Sequence, residues 1–181
     1  MEKFDNMMID LETLGTTSGS VIMSIAAIPF NIESGATDEP FYANISIQSC
    51  LDHGLTVEGS TVAWWMQQDD VAIRRLFEGT AHLLGTALAD LSTKFGLYQD
   101  LKVWGNSARF DLGILEHAYA KAELRIPWEF RNERDVRTLV SFAPDIKKEM
   151  KFEGTPHNAI DDCLHQIKYC SAIWKAIKEG L

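Results

Sequence analysis

The sequence predicts an α/β domain in which helices flank a mixed five-stranded sheet. Three apolar segments of strand length come first, and segments with apolar residues at helical spacing then alternate with two shorter strands. This succession is typical of a sheet that is covered by helices. A length of 181 residues, 46% of them hydrophobic, favours one domain spanning residues 1–181.

The first three strands are predicted near residues 7–12, 21–29 and 41–47. Gly19 and Gly35 lie near the connections between them. Glycine favours turns because it adopts positive φ without a steric penalty. Consecutive strands joined by turns usually pair side by side, so we expect these three to form a meander.

The middle of the chain predicts helices at about 61–77 and 81–96, and the second helix leads into a strand at 101–104. A further helix is predicted at about 109–122, where apolar residues recur three and four positions apart. The segment 121–134 contains a proline and a tryptophan without helical spacing. We interpret it as an irregular excursion on the surface.

A short strand near 134–137 and a long terminal helix complete the predicted domain. Thr155 followed by Pro156 resembles an N-cap with proline at the first helical position. The apolar positions that follow at helical spacing are Ala159, Leu164, Ile167, Ile173 and Trp174. We therefore expect His157 at the helix entrance and Asp162 more than one turn inside the helix.

Two carboxylates lie at the end of the first strand. Asp10 and Glu12 are two residues apart, so they project from the same face of a strand. Adjacent carboxylates repel each other unless a cation lies between them, and ligands that are all oxygen suit Mg²⁺ or Mn²⁺ better than zinc. Taken alone, the pair indicates a solvated polar strand end more often than a metal site.

Two later segments supply three more candidate residues. Asp111 follows the predicted strand at 101–104 and lies in the first turn of the next helix, near the sheet edge where α/β folds assemble their sites. His157 precedes Asp162 by five positions, and a histidine among carboxylates is suited to accept a proton. Alternatively, Asp111 only complements the dipole of its helix, and His157 is a capping residue beside a surface aspartate, Asp162.

The ordered set of acids and histidine resembles the DnaQ-like 3′→5′ exonucleases of the DEDDh type, whose fold is RNase H-like. Their signature is an Asp-x-Glu strand motif, a mid-chain Asp after a strand, and a C-terminal His followed five positions later by Asp. Asp10, Glu12, Asp111, His157 and Asp162 match it residue by residue. The flanking sequences Asp-Leu-Glu-Thr and His-Asn-Ala-x-x-Asp are also typical of these motifs.

The resemblance extends from about residue 8 to residue 170 and is nearest to one branch of the superfamily. That branch contains a phage exonuclease A (DexA) and mycobacterial RNase AS, which share the Asp-Leu-Glu-Thr-Leu-Gly opening. The Thr61–Trp65 and Arg134–Leu139 segments are similar to it as well. One of those enzymes acts on DNA and the other on RNA, so the resemblance leaves the substrate open.

The resemblance implies metal-dependent hydrolysis at the free 3′ end of DNA or RNA, with release of nucleoside 5′-monophosphates. Asp10, Glu12, Asp111 and Asp162 would hold two Mg²⁺ or Mn²⁺ ions, and His157 would remove the proton from the attacking water. The implied substrate is a single strand or a 3′ overhang. Similar enzymes are often homodimers.

Four further residues are candidates for contact with the substrate. In similar enzymes an apolar residue two positions beyond the Asp-x-Glu motif wedges against the terminal base and nearby backbone amides contact the sugar, so Thr13 and Leu14 are expected to contact the terminal nucleotide. Phe110 is placed to stack on a base or to pack in the core beneath the neighbouring aspartate. Asn106 either hydrogen-bonds the substrate or fixes the turn in which it lies.

Two other functions compete with exonuclease activity. An RNase H-type endonuclease shares the sheet and the carboxylates but cuts within a strand, and the spacing of His157 and Asp162 argues against it. A catalytically weak nucleic-acid-binding module is disfavoured because all the ligands are present. The net charge of −9 favours an enzyme that grips a strand end over one that coats long duplex.

The composition also indicates a location. The first residues are charged, and no apolar stretch reaches the roughly 18 residues of a membrane span, so neither a signal peptide nor a membrane helix is expected. Three cysteines without Cys-x-x-Cys spacing argue against a disulfide framework. We therefore expect a cytoplasmic protein.

Overall fold

The fold is that of a mixed five-stranded sheet, seen in a computed structural model that describes residues 2–180. The strands are β1 (Asn6–Thr13), β2 (Ile22–Phe30), β3 (Phe41–Asn44), β4 (Lys102–Gly105) and β5 (Glu133–Asp135). They lie in the order β3-β2-β1-β4-β5. The β1–β2 and β2–β3 pairs are antiparallel, and the β1–β4 and β4–β5 pairs are parallel. The predicted mixed sheet and its initial meander are confirmed.

Helices cover both faces of the sheet. They are α1 (Ile47–Asp52), α2 (Gly59–Trp65), α3 (Asp70–Arg75), α4 (Leu84–Phe95), α5 (Ala108–Lys121), α6 (Val136–Val140), α7 (Pro144–Glu149) and α8 (Ala159–Glu179). One turn of 3-10 helix spans Phe130–Asn132. Across residues 2–180, none of the helices combines the length and the apolar character that crossing a bilayer requires.

The alternation of side chains along β1 divides the core in two. Met7 and Ile9 belong to the larger apolar cluster, which includes residues of α4 and α5, whereas Met8 belongs to the cluster formed with α8. Because side chains alternate across a strand, Asp10 and Glu12 point to the same face as Met8. The central strand therefore directs both carboxylates toward α8.

The predicted helix at 61–77 is two helices in the structure. α2 and α3 are separated by a turn, and the side chain of Asp69 accepts a hydrogen bond from the backbone N–H of Val71 at the start of α3. This side-chain cap begins a new helix where the apolar spacing alone predicted a continuous one. The predicted strand at 41–47 is also shorter, because Ser46 caps α1.

The segment 121–134 is not wholly a surface excursion. Trp128 is buried, with its ring centroid 5.6 Å from that of Phe95 and 6.1 Å from that of Tyr119. Its indole N–H donates to the carboxylate of Glu133 at 3.0 Å. The segment lacks regular structure but contributes an aromatic anchor to the larger cluster.

The C-terminal region differs most from the prediction. The unpredicted helices α6 and α7 follow β5, and Asp135 caps α6 by accepting from the backbone N–H of Thr138 at 2.8 Å. The terminal helix starts later than expected, because Asn158 rather than Thr155 is its N-cap. His157 consequently lies outside the helix, and Asp162 lies in its first turn rather than deeper inside.

Candidate active site

A cavity of about 540 Å³ opens beside the ends of the parallel strands β1 and β4. Of the predicted site residues, Asp10, Glu12, Thr13, Asn106, Phe110, His157 and Asp162 line it. Asp111 does not line the cavity but is close enough for its charge to raise the pKa of Asp10, and Leu14 lies outside the cavity. Parallel strands end at one edge of a sheet, which is why residues distant in the sequence meet here.

Three candidate ligands converge most closely. One ligand atom each from Glu12, His157 and Asp162 lies within 4.8 Å of the others. Glu12 comes from the end of β1, Asp162 from the first turn of α8, and His157 from the loop before that helix. The packing of α8 against the sheet face that carries Glu12 brings the three groups together.

The remaining two carboxylates are fixed by hydrogen bonds. The side-chain amide of Gln166 donates to Asp10 at 2.8 Å, and the backbone N–H of Asn106 donates to Asp111 at 2.7 Å. A Cβ atom on Gly105 would lie 3.0 Å from the Asp111 side chain, so glycine at the end of β4 lets this buried carboxylate approach the strand closely. Both acids are thus held in place before any ligand binds.

Burial and mutual repulsion make these acids hard to ionise. Burial, and then the neighbouring carboxylates, raise the pKa of Glu12 to about 8 and that of Asp10 well above its ordinary value. Burial also raises the pKa of Asp111 to about 7, against the hydrogen bond from Asn106, and the pKa of Asp162 to about 6. Four oxygen-bearing groups that repel one another fit a divalent cation, which would reverse the sign of the local charge.

The raised pKa values predict how the metal-free protein responds to pH. A carboxyl group whose pKa rises on folding binds its proton more tightly in the folded state, so stability is full below the ordinary pKa and falls as the pH rises toward the folded pKa. We expect the Tm in EDTA to fall by on the order of 5 °C between about pH 5 and about pH 8. Glu12→Gln should make this fall shallower. Thermal melts that rise over this range, or that respond identically in the variant, would contradict the electrostatic picture.

His157 lies against two indole rings. Its ring centroid is 5.0 Å from that of Trp64 and 6.1 Å from that of Trp65, both in edge-to-face geometry. Burial lowers the pKa of His157 below its ordinary value, so the imidazole is neutral at neutral pH and can accept a proton. Its backbone φ of 61° is unusual for a residue other than glycine, which indicates that the loop is held by its surroundings.

Asp161 supports the loop that carries His157. Its carboxylate accepts from the backbone N–H of Thr155 at 2.8 Å and forms an ion pair of 3.3 Å with Arg75 on α3. A Cβ on Gly154, whose φ is 116°, would lie 2.6 Å from the Asp161 side chain. Asp161 does not line the cavity, in contrast to Asp162.

Two contributors to the site were not predicted from the sequence. Gln166 is buried, lies four positions after Asp162 on α8 and orients Asp10. Helical spacing places it on the same face as Asp162, which is a signal that could have identified it. Trp65 is buried and donates to the backbone carbonyl of Thr13 at 2.9 Å, fixing the end of β1 to α2; no local pattern predicts that bond.

The predicted substrate-contacting residues are placed unequally. The hydroxyl of Thr13 donates to the carbonyl of Gly15 at 2.7 Å, and Asn106 accepts at 3.4 Å from Arg137. Phe110 both lines the cavity and packs against the larger core cluster. Leu14 instead lines a separate apolar cavity beneath α2 and α3, and the structure does not bring it to the carboxylates.

Several solved structures share the fold of this chain. The chain is similar to the nuclease domain of 3′hExo, a DEDDh family member bound to rAMP, with 11% identity over 98% of this chain and 94% of that one and a TM-score of 0.65. It is also similar to cell-death related nuclease 4 (CRN-4), with 14% identity over 98% of this chain and 65% of that one and a TM-score of 0.60. For the E. coli ExoI–ssDNA complex, the identity is 14% over 96% of this chain and 40% of that one, and the TM-score is 0.64. The fold is therefore the RNase H-like fold of the DEDDh exonucleases.

A family match completes the assignment. Residues 5–174 match the family described as the 3′-5′ exoribonuclease Rv2179c-like domain, and the chain belongs to this family. A sequence comparison with curated proteins gives no match. The protein is thus a 3′-5′ exonuclease. DEDDh exonucleases are metal-dependent, and the acidic cluster offers a possible metal site.

Proposed function

We propose that the protein removes nucleotides one at a time from the 3′ end of a single strand or a 3′ overhang, using two Mg²⁺ or Mn²⁺ ions and releasing nucleoside 5′-monophosphates. The observation that carries this proposal is the approach of Glu12, His157 and Asp162 to within 4.8 Å in one cavity. Asp10 lines the same cavity, and Asp111 lies next to it. This set combines acidic metal ligands with a neutral proton acceptor.

The four carboxylates would together bind the two metal ions. Asp10, Glu12, Asp111 and Asp162 would hold the two ions, and Gln166 would keep Asp10 oriented toward them. When bound, the ions would supply the positive charge that activates water and stabilises the leaving 3′ oxygen. Because a phosphodiester is itself anionic, carboxylates without that charge would repel the substrate.

His157 would act as the general base. A ring nitrogen of its neutral imidazole accepts the proton of the attacking water, and the two indoles restrict the orientations that the ring can adopt. The loop contacts of Asp161 with Thr155 and Arg75 hold the backbone of His157 at the mouth of the cavity. Proton acceptance and metal binding are thereby assigned to different residues.

RNA is the substrate that we propose first, since the matched family is described as exoribonuclease. The ssDNA complex of E. coli ExoI has the same fold, so DNA is the alternative within this proposal. We also propose the branch of exonuclease A and RNase AS as the nearest relatives. Thr13, Asn106 and Phe110 would contact the terminal nucleotide, whereas the packing of Leu14 beneath α2 weakens its proposed role as a wedge. A homodimer stays a prediction that sedimentation analysis would test.

The polarity of degradation gives the direct test. With Mn²⁺ or Mg²⁺, a 5′-labelled RNA should shorten as a ladder, while a 3′-labelled RNA should release its label as mononucleotide from the start. A 3′-phosphate should slow the reaction, because it adds negative charge where a hydroxyl is expected. Matched DNA strands run alongside identify the preferred sugar.

A closed circle of the same sequence is the control for endonuclease activity. The circle should persist while the linear strand disappears, because an exonuclease requires an end. Equal cutting of circle and linear strand would favour the RNase H-type alternative. Tight binding of the linear strand without metal-dependent shortening would instead favour a binding module.

A further inference from the structure

A second cavity adjoins the candidate active site. Its volume is about 750 Å³, and we call it the upstream groove. It is lined by Thr16, Thr17, Ser18, Ser107, Ala108, Arg109, Phe110, Gly113, Glu116, Glu133 and Arg137. Thr16 and Phe110 line both cavities, so the groove continues directly from the site. Its volume lies in the range of roughly 300–1,000 Å³ that is usual for ligand sites.

Two arginines supply positive charge to the groove. Arg109 is exposed in the first turn of α5, and Arg137 is exposed on α6. Arg137 donates to the side-chain and backbone oxygens of Asn106 at 3.4 and 3.3 Å, and its charge partly opposes the burial that raises the pKa of Asp111. Arg137 therefore lies at the end of the groove next to the carboxylates.

Hydroxyl groups complete a polar wall. Thr16, Thr17 and Ser18 follow the end of β1, and Ser107 precedes α5. The backbone N–H of Ala108 is already bonded to Asp135 at 2.9 Å. The hydroxyl of Thr16 likewise donates to the carboxylate of Glu58 at 3.0 Å. Contacts with an anion in the groove would consequently come from the two arginines and from the hydroxyls of Ser18 and Ser107.

Of the two acids that line the groove, one is already hydrogen-bonded and the other lies further along α5. Glu133 accepts the indole hydrogen bond of Trp128, which ties its carboxylate to the core. Glu116 lies seven residues after Arg109 on α5, a displacement of about 10 Å along the helix. Arg137 thus lies where the groove meets the active site, Glu116 lies further along α5, and the carboxylate of Glu58 borders Thr16 at the junction of the two cavities.

We propose that the upstream groove holds the phosphates of the nucleotides that precede the one being removed. This inference rests on the proposed function, since it assumes that the 3′ terminal nucleotide occupies the active-site cavity. A phosphodiester backbone fits because arginine forks bind phosphate oxygens and hydroxyls add hydrogen bonds without reading the sequence. Phe110, which borders both cavities, stands where the strand passes from one to the other.

The salt dependence of the reaction tests this proposal. The substrates are an RNA decamer and a dinucleoside monophosphate, whose only phosphate is the one that is cut. Each phosphate contact to a single strand contributes about 0.7 to the slope of log affinity against log salt. Arg109→Ala should make the slope of log kcat/KM for the decamer shallower by about 0.7, and Arg109→Ala/Arg137→Ala by about 1.4.

The double substitution has a measurable consequence between two salt concentrations. The ratio of kcat/KM for the wild type to kcat/KM for the double variant, measured on the decamer, should fall about sevenfold between about 50 and about 200 mM salt. The ratio of kcat/KM for the decamer to that for the dinucleoside monophosphate should fall in both variants. Arg109→Ala is the cleaner variant, because Arg137→Ala also removes the contacts with Asn106.

Arg125→Ala is the matched control. Arg125 is exposed and follows the far end of α5, which is about 20 Å long, so it carries the same charge away from the groove. Its decamer slope should equal that of the wild type. Equal slopes for the wild type and Arg109→Ala would overturn the proposal that the upstream groove holds phosphates. A decrease of the slope in Arg125→Ala equal to that in Arg109→Ala would overturn it as well.

Failure of the proposed function gives a different result. In that case the wild type would not shorten the decamer with Mg²⁺ or Mn²⁺ at any salt concentration. Binding of the labelled decamer, measured by fluorescence anisotropy over the same salt series, would then decide the groove separately. A slope that depends on Arg109 would support it, and a slope that does not would reject it.

Discussion

Removing divalent metal with EDTA is expected to abolish the exonuclease activity, and adding Mg²⁺ or Mn²⁺ in excess is expected to restore it. The four carboxylates of Asp10, Glu12, Asp111 and Asp162 repel one another and a phosphate alike, so the site needs positive charge before it can bind substrate. Loss of several kcal/mol of transition-state stabilisation corresponds to a rate decrease on the order of 10³-fold or more. Initial rates on a 5′-labelled strand measure the effect. Full activity in excess EDTA would exclude the two-metal mechanism.

Asp10→Asn separates the loss of metal from the loss of fold. The variant keeps an oxygen that can accept the hydrogen bond of Gln166, so the structure around β1 should persist. It removes one negative charge from a repelling cluster and should therefore melt at least as high as the wild type in EDTA. The wild type should gain stability when Mn²⁺ is added, because the ion binds the folded state preferentially, and Asp10→Asn should gain less. Thermal melts with and without Mn²⁺ check both statements.

The sequence predicted that two of the candidate ligands share one face of a strand, because that relation depends on local periodicity. Asp10 and Glu12 share a strand face through the two-residue repeat. Asp111 was expected just after a strand end, and the family resemblance grouped it with them; the parallel pairing of β1 with β4 brings it close. The first relation needs no knowledge of distant contacts, whereas the second depends on a pairing between strands that are far apart in the sequence. The mixed sheet and its initial meander followed from the order of the predicted elements, whereas the parallel pairing of β4 and β5 beside β1 was not predicted.

The predicted start of the terminal helix was wrong because two neighbouring residues compete as its N-cap. Thr155 and Pro156 form a reasonable helix start, but the side chain of Asn158 accepts from the backbone N–H of Asp161 and begins α8 later. The consequence is functional, since His157 is released from helical geometry and can turn toward the indoles of α2. A local pattern could not rank these two caps.

Other features depend on pairs that are far apart in the sequence. The ion pair of Arg75 with Asp161 joins residues 86 positions apart, and the bond from Trp65 to Thr13 spans 52 positions. Leu14 was placed by analogy near the terminal base, yet it packs beneath α2 and α3. Its position depends on how those helices cross the end of β1, which the sequence does not reveal.

His157→Ala is expected to lower kcat by on the order of 10²–10⁴-fold, the usual contribution of a general base, while metal binding persists. The four carboxylates remain in the variant, so the cluster keeps its oxygen ligands. Its folded structure should also persist, because the Asp161 contacts with Thr155 and Arg75 hold the loop without the imidazole. Rates on a labelled strand and calorimetric titration with Mn²⁺ give the two readouts.

The pH dependence distinguishes a proton acceptor from a residue that only shapes the cavity. The wild-type rate should rise as His157 loses its proton, and burial lowers the pKa of His157, so this rise should lie below the ordinary range of histidine. His157→Ala should lack that rise. His82→Ala serves as the matched control, because His82 is exposed and does not line the cavity, and its rate and pH profile should follow the wild type. Calorimetry that finds metal binding lost in His157→Ala would identify His157 as a metal ligand. One of its ring nitrogens lies within 4.8 Å of a carboxylate oxygen of Glu12 and of one of Asp162, which permits that role. The proton of the attacking water would then need another acceptor.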